Sequence, residues 1–367
     1  MSFNSTRQQR APVRVIEIRR VTFLQLSEID VLKQHFKAHV YVECCIVGGA
    51  SDPLLAKAEN TITEDPEGEW PTVPSAMWYL ENQFIFANAI EREVRETKVR
   101  KEGLDLVLIR RIYGTFSEVL ELKEFPVDVQ ALTVAVEVHC AKDGPFPVTL
   151  VKSAELAANI LTENFKDSNM WQLSRNVVVE LEESKLDFGA GSRTYPAFRA
   201  TMQVNRYPEF YVYNIVIPNA VISLLSILIP TFLTQDNPDG RLNVSLSLML
   251  TAAAYKFSIS FMIPAVAYLT LLDRYLLSCA SLLVLCALQN SVLGIQDDDG
   301  QLVFSRWADR ATSLVLLLLW ALDNAWFAHR ARRLMQSHRR DNHLAHVRLP
   351  STDGGAIKQR HSQRHSV

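Results

Sequence analysis

The chain has 367 residues, 48% of them hydrophobic, and a formal net charge of −2, which is enough for two domains with separate cores. A near-neutral charge and a mildly positive mean hydropathy fit neither a soluble enzyme nor an all-membrane transporter, because two unlike halves are being averaged. Val13 to Arg206 is mixed and charged, whereas Phe210 to Phe327 holds long apolar runs, so composition changes near Arg206.

Residues 1–12 form a polar leader, expected to be disordered, with no apolar run that reads as a secretory signal. Strand-like patches rich in β-branched and aromatic residues follow at Val13–Leu26 and Gln34–Ile46, then at Asp105–Tyr113, Leu132–Val138, Val148–Val151, Asn176–Glu182 and Ala197–Val204. Turn-forming clusters such as GGASDP, EDPEGEWP, KDGPFP and DFGAGSRTYP separate them. Short strands punctuated in this way predict an antiparallel, immunoglobulin-like β-sandwich over residues 13–206. The five cysteines, Cys44, Cys45, Cys140, Cys279 and Cys286, give no disulfide framework, and Cys44 and Cys45 read as ordinary strand residues. There is no repeat, Walker loop, GxSxG, HExxH or paired CxxC. No enzyme, cofactor, metal or nucleic-acid partner is therefore expected.

Four apolar segments make up residues 207–330: Phe210–Leu233, Leu242–Ile263, Tyr268–Leu293 and Ala311–Phe327. Crossing the hydrocarbon core takes about 20 residues, so these predict a four-helix membrane bundle. Trp307, Trp320 and Trp326 supply aromatic anchors to the fourth and shortest segment. The basic remainder, 331–367, is expected to be disordered.

The second segment carries a stripe. Steps of four and three give Asn243, Ser247, Leu250, Ala254, Phe257 and Phe261 on one helical face, polar at its start and apolar from Leu250 onward. A ring of such helices lines a tube with a polar end and an apolar girdle that stops ions by dewetting. The alternative is plain packing against sister helices, which small and hydroxyl residues also mediate. Lys256 sits just off the stripe, where its charge needs water or a partner.

These residues resemble the pentameric ligand-gated ion channels, the Cys-loop receptor superfamily. Glu124–Gln130 reads EFPVDVQ, similar to the family's FPxDxQ signature loop, and Arg206–Pro218 reads RYPEFYVYNIVIP, similar to the RxPxFY opening of its first membrane helix. Arg241–Phe257 resembles the pore helix, especially of prokaryotic members, and Ile263–Leu277 the link into the third helix. The likeness runs from Val13 to about Arg330. Glu118 and Leu132 stand where animal members carry the loop cysteines, so the chain resembles the disulfide-free bacterial channels.

The resemblance implies a pentamer, with four further copies of this chain expected, an agonist bound between sandwiches, and a pore lined by the second helix. It implies that Phe125, Pro126, Asp128, Arg206, Pro264, Tyr268 and Asp273 couple sandwich to helices, with Asp128 and Arg206 as a partly buried ion pair. Asp239, just before the pore helix, then forms a ring of carboxylates favouring cations, with Arg241 facing away from the pore. The family's interface aromatic falls on His139, with Glu137 two residues earlier, and the later hairpin offers Phe188, Tyr195 and Phe198. Aromatic faces near an acid suit an amine, and a histidine permits proton sensitivity, although His139 also reads as an ordinary strand residue. The family topology places sandwich and C-terminus outside the plasma membrane. Against this, HRARRLMQSHRR after the last helix is basic, and the preceding link carries Asp297, Asp298 and Asp299. The rival reading is a non-conducting or auxiliary subunit of the same fold that needs a partner.

Overall fold

A computed structural model describes residues 13–51, 55, 83–142, 144, 147–167, 169–187, 192–233, 238–261, 265–292 and 306–348. Among these described residues nine strands come first: β1 (Arg14–Asp30), β2 (His35–Ile46), β3 (Phe84–Phe86), β4 (Ala89–Glu102), β5 (Asp105–Ser117), β6 (Val129–Val138), β7 (Val148–Ile160), β8 (Trp171–Asp187) and β9 (Ser192–Arg206). They form a five-stranded sheet in the order β4-β5-β2-β1-β7 and a four-stranded sheet in the order β3-β6-β9-β8. Period-two alternation makes the sandwich. Phe36, Ala38, Val40, Val42 and Cys44 of β2 point inward, as do Leu132, Val134, Val136 and Val138 of β6, and both sets meet in one core. Phe36 and Phe116 stack there with ring centroids 5.4 Å apart.

The structure corrects three strand expectations. The sandwich is not wholly antiparallel, because β1 pairs in parallel with β7. Strand β7 also runs to Ile160, well beyond the expected Val151. Strand β4, AIEREVRETKVRKE, is absent from the sequence-based assignment because most of its side chains are charged and none is buried. It is the edge strand of the larger sheet, where charge blunts unwanted pairing and erases the apolar alternation used to recognise strands. Its hairpin to β5 turns on Gly103, at φ 61°, which favours glycine.

Four helices follow: α1 (Glu209–Phe232), α2 (Pro238–Ile259), α3 (Leu271–Val292) and α4 (Arg306–Arg348). Each is long and apolar enough to cross a membrane. Helix α1 contains a π turn at Val212–Val216, just ahead of Pro218, which lacks the N–H that a regular helix would use there. Helix α2 starts earlier than the expected Leu242 and stops before Ile263. Asp239 therefore lies in its first turn rather than before it, and Phe261 lies beyond its end.

The largest correction concerns the C-terminal segment. Where disorder is expected from residue 331, α4 continues without a break to Arg348. Phe327, Ala331, Leu334 and Met335 fall on one helical face and join a cluster containing Phe125, Tyr211, Ile215 and Tyr275. The arginines between them, Arg330, Arg332 and Arg333, are exposed and mask that apolar spacing in the sequence. The contact places the Phe327–Met335 stretch of α4 beside the base of the sandwich.

Candidate functional site

Two motifs far apart in sequence meet at the junction. The loop before β6 carries Phe125-Pro126, joined by a cis peptide bond, and Asp128; the last residue of β9 is Arg206. Strands β6 and β9 are paired, with Val129 opposite Asn205, so their ends deliver Asp128 and Arg206 to one point. The Arg206 Nε donates to Asp128 Oδ1 at 2.8 Å and Nη2 donates to Oδ2 at 3.3 Å. Both side chains are only 2% exposed. The ion pair inferred from the resemblance is thus present, and more deeply buried than expected.

Four side chains complete it. The Gln130 amide donates to Asp128 Oδ2. The guanidinium lies over the Trp171 ring at 4.0 Å and over the Phe125 ring at 5.0 Å, a cation-π arrangement strengthened where water is excluded. Tyr211, at the start of α1, meets Phe125 edge-on at 4.6 Å. Sequence reasoning singled out none of Gln130, Trp171 and Tyr211, although Gln130 and Tyr211 lie inside the two motifs.

The same loop grips the start of α3. The Leu271 N–H donates to the Lys123 carbonyl at 3.0 Å and the Leu272 N–H to the Phe125 carbonyl at 3.1 Å. Leu122 N–H donates to the Tyr268 hydroxyl oxygen at 2.9 Å. Helix-terminal N–H groups need partners outside their helix, and the signature loop supplies them. Of the expected coupling residues, Phe125, Pro126, Asp128, Arg206 and Tyr268 come together here, while Pro264 lies outside the described residues. Asp273 has a local role: its carboxylate accepts from the Thr270 N–H and hydroxyl, and its own N–H donates to Thr270 Oγ1, which makes a capping box for α3.

At the base of the signature loop, Glu118 Oε2 accepts the Thr133 N–H at 2.9 Å, and Leu132 is fully buried in the core. The five cysteines are all free. A hydrogen bond therefore spans the place where the resemblance puts a disulfide. Burial pushes the Glu118 carboxyl above its ordinary value, although the Thr133 bond and Arg199 pull it down. A raised folded-state value means the folded chain holds the proton more tightly than the unfolded one. This contribution to stability is full below the ordinary value and is lost as pH rises through the folded value. Replacing Glu118 by glutamine keeps an acceptor for Thr133 and removes the charge. Thermal unfolding near neutral pH should then shift up by ~2 °C, and the midpoint should lose its Glu118-dependent fall as pH rises above the ordinary carboxylate range. An unchanged pH profile would refute that assignment.

The expected ligand residues divide. Glu137 and His139 are close, with 3.5 Å between Oε2 and Nε2, and the His139 and Tyr195 rings are 5.6 Å apart. Phe198 does not belong with them. It is fully buried in the sandwich core with Ala200, Met202 and Val204, because it shares their parity along β9. Phe188 lies outside the described residues.

On α2, Asp239, Asn243, Ser247, Leu250, Ala254 and Phe257, with Phe261 just past its end, are all exposed. Arg241, Ser245 and Ile259 are buried on the other side. Leu250 is 72% exposed, Phe257 70% and Phe261 72%, so the chain's own bundle leaves this stripe uncovered. The Phe257 and Phe261 rings meet edge-on at 5.7 Å. The Ser247 hydroxyl donates to the Asn243 carbonyl at 2.8 Å, which leaves its oxygen lone pairs facing outward.

No family model matches the chain. Over 251 residues, 66% of the chain, it is 22% identical to the acetylcholine receptor subunit alpha-type des-2 of Caenorhabditis elegans. The chain spans 44% of that relative's length, less than half. That relative is a receptor subunit rather than an enzyme. Beside this likeness the chain has a β-sandwich followed by four helices long and apolar enough to cross a membrane.

Proposed function

We propose that this chain is one subunit of a pentameric ligand-gated cation channel in the plasma membrane, with four further copies completing the ring and sandwich and C-terminus outside. The observation that carries this reading is the stripe on α2. A membrane helix that turns Asp239, Asn243 and Ser247, as well as Leu250 and Phe257, away from its own bundle has a partly polar face that lipid covers poorly and sister copies can enclose. An enclosed stripe has an acidic residue in its first turn, hydroxyl oxygens next, and an apolar girdle beyond, the order of a selectivity site and a gate. Exposed Asp239 with buried Arg241 supports passage of cations. For the agonist, the Glu137, His139 and Tyr195 cluster offers an acid beside aromatic faces, suited to a small amine. An amine is in keeping with the relative's name as an acetylcholine receptor subunit, and a histidine in this cluster makes protons a second trigger to test.

The chain expressed alone in oocytes should carry current under voltage clamp when external pH is stepped or primary amines are applied, reversing near the cation potential. Leu250→Ala, which thins the girdle, should raise the current at subsaturating stimulus by roughly tenfold. The facing Phe257 and Phe261 rings favour the rival, a non-conducting or auxiliary subunit. Surface labelling with no current from either form would establish that rival.

A further inference from the structure

Asp239 and Arg241 are two residues apart on α2, and a helical period of 3.6 puts them on nearly opposite faces. Arg241 points into the bundle, where its side chain is 1% exposed. Its Nε and Nη2 donate to the Leu233 carbonyl at 2.8 and 2.7 Å, and Nη2 lies 3.4 Å from the Pro230 carbonyl. These carbonyls end α1, where unpaired acceptors and the helix dipole both favour a cation. Two carbonyls carry no net charge, and the neutralising group comes from the far end of the fold. Asp309, in the first turn of α4, places Oδ2 2.9 Å from Nη2 and has a side chain 7% exposed. Gln289 of α3 holds Asp309 in turn, its Nε2 donating to Oδ1 at 3.2 Å and to Ser313 Oγ at 2.7 Å. All four helices thus converge on one guanidinium.

We infer that Asp309 is a positioning residue for ion selectivity: by neutralising Arg241 inside the bundle it keeps that cation off the α2 stripe, so that Asp239 sets the field at the inner mouth. The inference rests on the channel reading above. Its physical basis is that a buried guanidinium without its carboxylate is costly, and Arg241 then gains by reaching water. In the proposed channel one route to water runs along the α2 stripe into the ion path, where basic side chains favour anions.

The test is the cation-to-anion permeability ratio, from reversal potentials in diluted sodium chloride, for the full-length chain and its variants. Asp309→Ala should lower the ratio by roughly threefold or more, by bringing positive charge to the mouth. The double variant Arg241→Gln/Asp309→Asn, whose buried network is neutral, should keep the wild-type ratio. A merely structural role for Asp309 would reduce current or surface expression and leave the ratio unmoved. An unchanged ratio in Asp309→Ala overturns the inference. Should that variant not reach the surface, the double variant still decides: a marked rise in its ratio means Arg241 already acts on the ion path, which also overturns it. Wild-type protein at the surface without current defeats the channel reading itself, a distinct result.

Discussion

Asp128→Ala is expected to destabilise the folded chain by about 3–5 kcal/mol, the range for removing one partner of a buried ion pair. The alanine strands the Arg206 guanidinium at a site only 2% exposed, walled by Trp171 and Phe125. No described carboxylate other than Asp128 is paired with it. The Gln130 amide loses its acceptor as well. Thermal unfolding of the purified full-length chain should show the loss. A double-mutant cycle with Arg206→Ala should show strong coupling, because one charge left alone costs more than neither. Arg206→Lys should fail to substitute, since an ammonium can neither span both carboxylate oxygens nor stack flat on Trp171. Additive single losses, or a loss below about 1 kcal/mol for Asp128→Ala, would mean the pair is not the tie between sandwich and helices that its geometry indicates.

Ending the chain after Ala328 is expected to produce the second large effect. It removes Ala331, Leu334 and Met335 from the cluster around Phe125, Tyr211 and Tyr275. Partly buried leucine and methionine side chains are each worth about 1–3 kcal/mol, so roughly 2–4 kcal/mol should be lost. Leu334→Ala alone should give a fraction of this. Truncation at Arg348, beyond the described contacts, should leave the unfolding midpoint in place. A stop after Ala328 that leaves stability unchanged would restore the reading of this segment as a solvated tail.

Both effects centre on the junction, where covalent and non-covalent paths converge. β9 runs directly into α1 through Arg206, while the signature loop holds the first turn of α3 by backbone hydrogen bonds. Movement of the sandwich base must therefore displace α1 and α3 together, and in the proposed channel this is the route from agonist to pore.

The amino-acid order by itself determined the two-part architecture and the four helices of membrane length, and the resemblance of its short motifs to a known family pointed to the residues of the junction pair. Apolar runs of membrane length are a local property, and FPVD and RYP are short motifs whose role is carried by a few adjacent residues. Parity along β9 also placed Phe198 with Ala200, Met202 and Val204, so its burial in the core was legible there, though it was set among the ligand candidates. The rest depended on tertiary structure. Edge strand β4 is held by hydrogen bonds to β5 rather than by an apolar face of its own, and charge hides it from any pattern of hydrophobicity. The extension of α4 is fixed by three apolar side chains that gain stability only where the junction cluster waits for them. The partner that Arg241 meets inside the bundle is a carboxylate 68 residues away on another helix, and no local spacing encodes such a pairing.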